Sequence, residues 1–211
     1  MNTTLINDYN DILTGRRSIR YYDPSVKISK EEMTEILSKA TLAPSSTNMQ
    51  PWRFLVIESD EAKQTLLPLA KFNSSQVETS AAMIAVFGDL NNFDNGEEIY
   101  SNAVEQGFMP QEVKEQMMEK LSAHFETIDP ADNKDVVLVD GGIVSMSLML
   151  AARAHGYDTC PIGGYEKDQI AEAFGLDKDR YVPVMLISIG KAANPGYQSV
   201  RLPVAKVAEW K

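Results

Sequence analysis

The chain is poor in residues that carry covalent or metal chemistry: its 211 residues include one cysteine and two histidines. One cysteine cannot pair within its own chain, so an internal disulfide framework is excluded. Cys160, His124 and His155 form no ligand spacing, which argues against a zinc site of the Cys/His type. Positive charge is also scarce, with 20 Lys and Arg against 30 Asp and Glu, a net charge of −10. Such a chain repels phosphate backbones at long range, so nucleic acid is not an expected partner. Met1 to Leu13 has no basic n-region and no apolar h-region, and carries Asp8 and Asp11. The expected compartment is therefore the cytoplasm. No linker, low-complexity run or fixed-period repeat divides the sequence. Residues 1–211 are expected to form a single domain with a sizeable core.

Familiar catalytic motifs are missing too. No G-x-G-x-x-G supports a Rossmann dinucleotide site, and Gly190-Lys191 lacks the rest of a Walker A loop. G-x-S-x-G and H-E-x-x-H are absent, so hydrolytic catalysis has no support. His124 falls on a polar helix. His155 falls at the C-terminal end of a long apolar one, where a cation suits the helix dipole and a structural role is the better reading.

What is present is a clear alternation of helix and strand signals. Leu5, Ile6, Tyr9, Ile12 and Leu13 follow helical spacing up to Gly15. Ser29 and Glu32 read as a capping box before the apolar face of Met33, Ile36, Leu37 and Ala40, with Pro44 beyond it. Trp52 to Ile57 has strand length, Asp60 to Ala70 looks helical, and Ala82 to Phe87 reads as a buried strand closed by Gly88. Residues 91–129 are more polar, with Val113, Met117 and Leu121 on a helix begun by Pro110. Asp129 to Asn133 reads as a turn cluster. Val136 to His155 is apolar nearly all round, ending at Gly156. A membrane span needs roughly 20 predominantly apolar residues. Asp140, Gly141, Gly142, Ser145 and Ser147 interrupt this run, so a helix buried inside the protein, and no membrane partner, is expected. Lys167 to Phe174 is a short helix and Val182 to Ile189 a final strand. The pattern implies an α+β or α/β sheet core.

Four segments stand out chemically. Three of the seven arginines fall within Arg16-Arg17-Ser18-Ile19-Arg20. Their planar forks suit bidentate bonds to phosphate, and a small phosphorylated ligand would find a local positive well there. The competing explanation is a solvated helix end whose cations offset the dipole. Pro44-Ser45-Ser46-Thr47-Asn48-Met49-Gln50-Pro51 is a Pro-bounded loop of short hydrogen-bonding side chains. It suits a planar heterocycle or a polyol, though composition alone slightly favours a turn capping its own backbone. Cys160-Pro161-Ile162-Gly163-Gly164-Tyr165 could bring bare backbone against a flat ligand, or form an ordinary tight turn with Cys160 as a small buried hydrophobe. Arg201-Leu202-Pro203 places one arginine in a weakly charged C-terminal segment.

In this order and spacing, R-R-S-I-R, P-S-S-T-N-M-Q-P-W, P-I-G-G-Y and S-V-R-L-P resemble the nitroreductase family of FMN-dependent NAD(P)H oxidoreductases over nearly the whole chain. The resemblance implies an α+β sandwich with a central, mostly antiparallel sheet flanked by helices, built as an intertwined homodimer with two FMN at the interface. Arg16 and Ser18 match positions that hold the FMN phosphate, with Arg201 arriving from the C-terminal segment. Arg17 and Arg20 match positions near the ribityl chain and the N1/O2 edge of the flavin ring, where a cation favours the anionic reduced flavin. Pro44, Ser45, Ser46 and Asn48 match a loop that reaches the same flavin from the other subunit. Asn73 and Gln76 fall near contacts to the ring edge. Pro161, Ile162, Gly163 and Gly164 match the segment beside the ring, where a backbone N–H faces N5.

The implied activity is ping-pong hydride transfer: NADH or NADPH reduces flavin N5, and an acceptor of nitroaromatic or quinone type then takes the same site. The flavin carries the chemistry, so no protein residue is expected to act as catalytic acid or base, and no metal is called for. A non-catalytic FMN-binding or storage module, or another reductive activity such as dehalogenation, is the alternative. Two departures from the family pattern stand out. Many members have Glu-Gly where this chain has Gly163-Gly164, and a Lys where it has Ser199. Residues 91–129 align with a variable insertion over the substrate side, with Phe93, Tyr100, Phe108 and Phe125 as candidates for a stacking lid.

Overall fold

The structure, a computed structural model, describes residues 8–211. Its centre is strand β2 (Ala82–Asp89), buried along its whole length. Ala82, Ile84 and Val86 face one apolar cluster, and Met83, Ala85 and Phe87 face another. This period-two division explains why the run reads as continuously apolar: both faces of the sheet are covered. β2 lies between β1 (Trp52–Ile57) and β4 (Tyr181–Gly190), and β4 pairs on its other side with β3 (Asp158–Ile162). All three pairings are antiparallel, in the order β1-β2-β4-β3. Helices α2 (Lys30–Ala40) and α7 (Pro130–Ala154) cover one face. The other is closed by α3 (Asp60–Leu66), α4 (Ser74–Thr79) and α8 (Lys167–Ala173). This is the expected α+β layering.

α7 is long and apolar enough, by length and composition, to cross a membrane. Val137, Val144 and Leu148 nonetheless bury one side of it fully within the protein. Close approach to the sheet depends on two glycines. A Cβ on Gly88 would sit 2.1 Å from Val137 Cγ1, and one on Gly141 would sit 2.5 Å from Val184 Cγ2. Val184 stands at a register shift in β4, where Val86 pairs with Met185 but Phe87 pairs with Pro183. The bulge aims an extra side chain at α7, and Gly141 makes room for it. Gly88 therefore does not end β2, which continues to Asp89.

Other boundaries differ for identifiable reasons. Helix α1 spans Tyr9–Gly15, capped by the Asp8 carboxylate; Leu5 and Ile6 lie outside the described residues. Ser29 caps α2 through Glu32 N, but the Glu32 carboxylate accepts from Tyr157 OH at 2.7 Å, so only half of the capping box forms. The Asp129 to Asn133 cluster is the first turn of α7, with Asp129 as N-cap and Pro130 at N1, a placement that suits proline. His155 caps the C-terminus of α7, buried, with Nε2 accepting from Lys39 Nζ at 2.6 Å. Within 91–129 the structure adds α5 (Gly96–Glu105) to the expected helix α6 (Gln111–Thr127). This hairpin packs around its own apolar cluster of Tyr100, Leu121, Phe93, Phe125 and several methionines. Its root is clamped by Arg180, which donates to both oxygens of Asp89 at 2.8 and 2.7 Å and reaches Asp94 at 3.2 Å.

Gly88→Ala is expected to destabilise the fold by about 1–3 kcal/mol, because the stiff β-branched Val137 has to shift. Chemical denaturation of the variant against wild type measures it.

Candidate functional site

The Arg16–Arg20 segment begins at the C-cap of α1 but is more than a solvated helix end. It runs alongside edge strand β3, with a parallel bridge from Ser18 to Thr159 and Ile19 N–H donating to Thr159 O at 3.1 Å. Ile19 is buried. The neighbouring Cys160 thiol is pushed up by burial, against the opposing pull of the Arg20 guanidinium, a Gln76 hydrogen bond, the Arg16 guanidinium and a Ser18 hydrogen bond. Arg16, Ser18, Arg20 and Gln76 thus act on Cys160, midway along β3. Among the described residues, Arg153 and Arg180 are held in ion pairs, whereas Arg16 and Arg20 have no carboxylate partner. Arg17 fits the competing explanation better. Its guanidinium donates to Thr14 O at 2.6 Å and Arg16 O at 2.9 Å, satisfying the end of α1.

Pro161 and Ile162 are the last residues of β3, a strand absent from the sequence reading, which weighs ligand-facing backbone against a tight turn there. Proline is tolerated there because β3 is an edge strand. Beyond it the chain is open: a Cβ on Gly163 would meet nothing within 4 Å. Gly163 is thus not required by the packing of this chain, and the space beside it is open. Gly164 O accepts from Asn73 Nδ2 at 2.9 Å, and Gln76 Nε2 donates to Asn73 Oδ1 at 3.3 Å. Asn73 and Gln76 therefore join the same cluster.

The C-terminal tail runs past this cluster. Gly196, at φ 70°, lies where a Cβ would be 2.7 Å from Ile19 Cδ1, and Gln198 Oε1 accepts from Arg17 at 3.3 Å. Ser18, Arg20, Tyr21 and Asn194 to Tyr197 line a cavity of about 260 Å³. Arg201 follows, exposed, with its Nη1 donating to Ser199 Oγ at 2.8 Å and Val200 O at 2.9 Å. Within one chain it is not bonded to Arg16 or Ser18.

Pro44, Ser45, Ser46 and Asn48 lie apart from these residues, in a loop bonded to α7 and the α5–α6 hairpin. Thr47, Asn48 and Gln50 have φ of 47°, 57° and 50°. Left-handed backbone costs a side-chain-bearing residue roughly 1–2 kcal/mol, and most for a β-branched one such as Thr47. The loop is held by Asp140, whose two carboxylate oxygens accept Ser46 N–H at 3.2 and 3.0 Å, and by Tyr100 OH donating to Thr47 O at 3.1 Å. Ser45 Oγ accepts from Gln50 N at 3.0 Å, and Pro51 O from Asp89 N. Burial raises the Asp140 carboxyl, against the lowering effect of the Ser46 N–H, and raises the Tyr100 phenol. Read from the sequence, Tyr100 is a lid candidate rather than an anchor, and Asp140 has no role at the site. A single acid inside a buried apolar helix was the available signal for Asp140, because a buried carboxylate needs a partner.

The family model described as the nitroreductase family matches residues 13–191, most of the chain. The chain belongs to the nitroreductase family. YdgI of Bacillus subtilis (strain 168), which carries the provisional name NAD(P)H nitroreductase, is 67% identical over 97% of this chain and 98% of its own. A crystal structure from Exiguobacterium sibiricum, described provisionally as a nitroreductase in complex with FMN, is 64% identical, with a TM-score of 0.97 over 99% of this chain and 100% of that one. The CLA biosynthesis enone reductase of Lactiplantibacillus plantarum is 35% identical over 92% of this chain and 90% of its own. Against the family pattern, this nitroreductase has open space at Gly163, and its Arg201 lies beyond the matched residues, bonded to Ser199. Of the candidate lid aromatics, Tyr100, Phe93 and Phe125 form the hairpin's own core, the last two stacked at 5.0 Å, and Phe108 alone is largely exposed.

Asp140 also makes stability depend on pH. Its folded-state pKa lies above the ordinary carboxylate value, so between the two values the native state binds more protons than the unfolded one. Relative to Asp140→Asn, which cannot titrate, the wild type is expected to gain stability as pH falls through that window. Melting temperatures of both proteins across mildly acidic pH measure the change.

Proposed function

We propose that the protein is a homodimeric, FMN-dependent NAD(P)H oxidoreductase of the cytoplasm, formed from one domain spanning 1–211. The observation that carries this is the convergence of two arginines without carboxylate partners, Arg16 and Arg20, with Ser18, Asn73, Gln76 and the open face at Gly163. The donor set fits FMN. Guanidinium forks and a serine hydroxyl suit the phosphate, amides suit the edge of the ring, and bare glycine backbone leaves room for its plane. Bound FMN supplies two-electron chemistry, accepting a hydride from NADH or NADPH and delivering it to a second substrate.

The chain's own contribution is binding and orientation. Arg16, Ser18 and Arg201 would hold the phosphate, and Arg20, joined by Arg17 once its guanidinium leaves Thr14 O and Arg16 O, would lie near the ribityl chain and the N1/O2 edge. Asn73, Gln76 and the segment Pro161 to Gly164 border the ring. A cation at that edge stabilises negative charge that develops only on reduction. Residues 91–129 act as a lid, with Phe108 available to stack on a flat acceptor of nitroaromatic or quinone type. The similarity to an enone reductase favours a second acceptor class, α,β-unsaturated ketones.

A dimer is supported by what one chain leaves uncovered. Val139, Ile143 and Met146 form an exposed stripe on α7, beside a cavity of about 450 Å³ that Pro44, Ser45 and Ser46 also line. In the tail, Tyr197, Val200, Leu202, Val204, Val207 and Trp210 are all largely exposed. A second copy covering these surfaces would bring its own Pro44 to Asn48 loop to the flavin.

The purified protein should be yellow and sediment as a dimer, and NADH or NADPH should bleach the flavin under anaerobic conditions. A colourless protein that takes up no added FMN would refute this reading. Arg201→Ala should weaken FMN binding by on the order of 1.5–3 kcal/mol, the range for a hydrogen bond to a charged group. Flavin fluorescence titration reads that loss.

A further inference from the structure

The loop following Pro44 cannot maintain its conformation from its own sequence. Thr47, Asn48 and Gln50 all have positive φ and none is glycine. Among these, the β-branched Thr47 is the residue least suited to it. Bonds within the loop include Asn48 N–H to Ser45 O, Met49 N–H to Ser46 O and Gln50 N–H to Ser45 Oγ; the first two close tight turns and the third ties down a left-handed residue, Gln50, leaving Thr47 without a bond inside the loop that selects its conformation. The selection comes from outside. Asp140 lies on α7 beside Val139 and Ile143, itself only 4% exposed, and takes Ser46 N–H between its two oxygens. Tyr100 comes from the α5–α6 hairpin and donates to Thr47 O. Met49, 1% exposed, is drawn into the hairpin's apolar cluster beside Tyr100 and Leu121. Met49 is thus held inward, while Ser46, Thr47 and Asn48 stay exposed.

We propose that Asp140 and Tyr100 are positioning residues, which fix this loop in its left-handed form for contact with the flavin and so couple the hold on the cofactor to the seating of the lid. The inference rests on the function proposed above. Asp140 supplies the fixed anchor, because α7 is clamped to the sheet by the close contacts at Gly88 and Gly141. Tyr100 supplies the second, from the α5–α6 hairpin, whose apolar cluster also takes in Met49 of the loop. Displacing the hairpin would remove the Tyr100 bond and the packing around Met49 together, leaving Asp140 alone against the backbone strain. The flavin contact is then strongest when the lid is seated.

The test is the rate at which the holoenzyme loses FMN on dilution, followed by recovery of free-flavin fluorescence. Asp140→Leu removes the acceptor at similar volume and should release FMN about tenfold faster, the scale of one charge-assisted hydrogen bond. Asp140→Asn keeps an oxygen acceptor and should restore most of the wild-type hold. Adding Thr47→Gly to Asp140→Leu should restore part of it, because glycine adopts positive φ without steric cost. General loosening of the core would be corrected by neither change. Tyr100→Phe alone should speed release, and combined with Asp140→Leu the effects should be non-additive, as for two anchors on one loop. Wild-type release from Asp140→Leu, or the absence of both rescues, overturns the inference. If Asp140→Leu does not fold, Tyr100→Phe decides the matter, with unchanged release counting against it. A wild-type protein that binds no FMN would instead overturn the proposed function.

Discussion

Everything in this fold depends on one long helix lying very close to a sheet that is already buried on its other face. β2 offers a continuous apolar surface to both sides, and α7 covers one of them over 25 residues. The approach is closer than side chains at Gly88 and Gly141 would permit, and the β4 bulge that presents Val184 locks the register of the contact. A helix clamped this firmly is a rigid platform from which to aim a polar group. Asp140 sits one residue before Gly141, so the position of its carboxylate is fixed by the same contact that builds the core. The cost of burying that carboxylate is offset locally by the Ser46 N–H it accepts.

The electrostatic organisation follows a similar division of labour. An excess of ten negative charges would repel a phosphate approaching at random. Arg153 and Arg180, which serve the fold, are matched with Asp158 and Asp89. Arg16 and Arg20 are left without such partners alongside an edge strand that runs on to Gly163, where the space is open. A cation held near an edge strand by Ile19 and the Ser18–Thr159 bridge keeps its place without giving up its charge to a neighbour. Segregation of paired from unpaired arginines lets a strongly acidic protein present a local well for an anion.

The sequence carried the core well because burial leaves a periodic trace. Trp52–Ile57 was legible to the residue, and β4 to within one residue at each end, since both are apolar runs of strand length. What escaped was settled by tertiary contact. β3 contains a proline and is followed by two glycines, the signature of a turn, and it is a strand because β4 supplies the pairing. The Asp129 cluster has turn composition, yet the same residues make a good helix start. At the site, motif chemistry pointed to Arg16, Ser18 and Arg20, which the fold gathers around Cys160. It marked Tyr100 only as a lid aromatic and Asp140 only as a break in an apolar run, because their role is to hold backbone, and of the left-handed residues Asn48 alone is of a type that favours positive φ. Arg17 shows the reverse case, a motif residue whose guanidinium is taken up by the end of α1.

The two halves of the site have opposite mechanical characters, and this bears on why they lie apart in one chain. The arginine cluster hangs on an edge strand and a tail, and its open face at Gly163 needs no neighbour from its own protomer. The Pro44 to Asn48 loop is fully braced, but its exposed side chains face away from any bonded partner except the loop itself. Each half thus has what the other lacks: one offers charge and space, the other a rigid array of short polar groups. The apolar stripe of Val139, Ile143 and Met146 lies on the helix that braces the loop. Association through that stripe in the proposed dimer would use hydrophobic burial, which is non-directional, to bring together two surfaces whose own polar geometry is already set. In the proposed dimer the directional work would be finished within each chain before the chains meet.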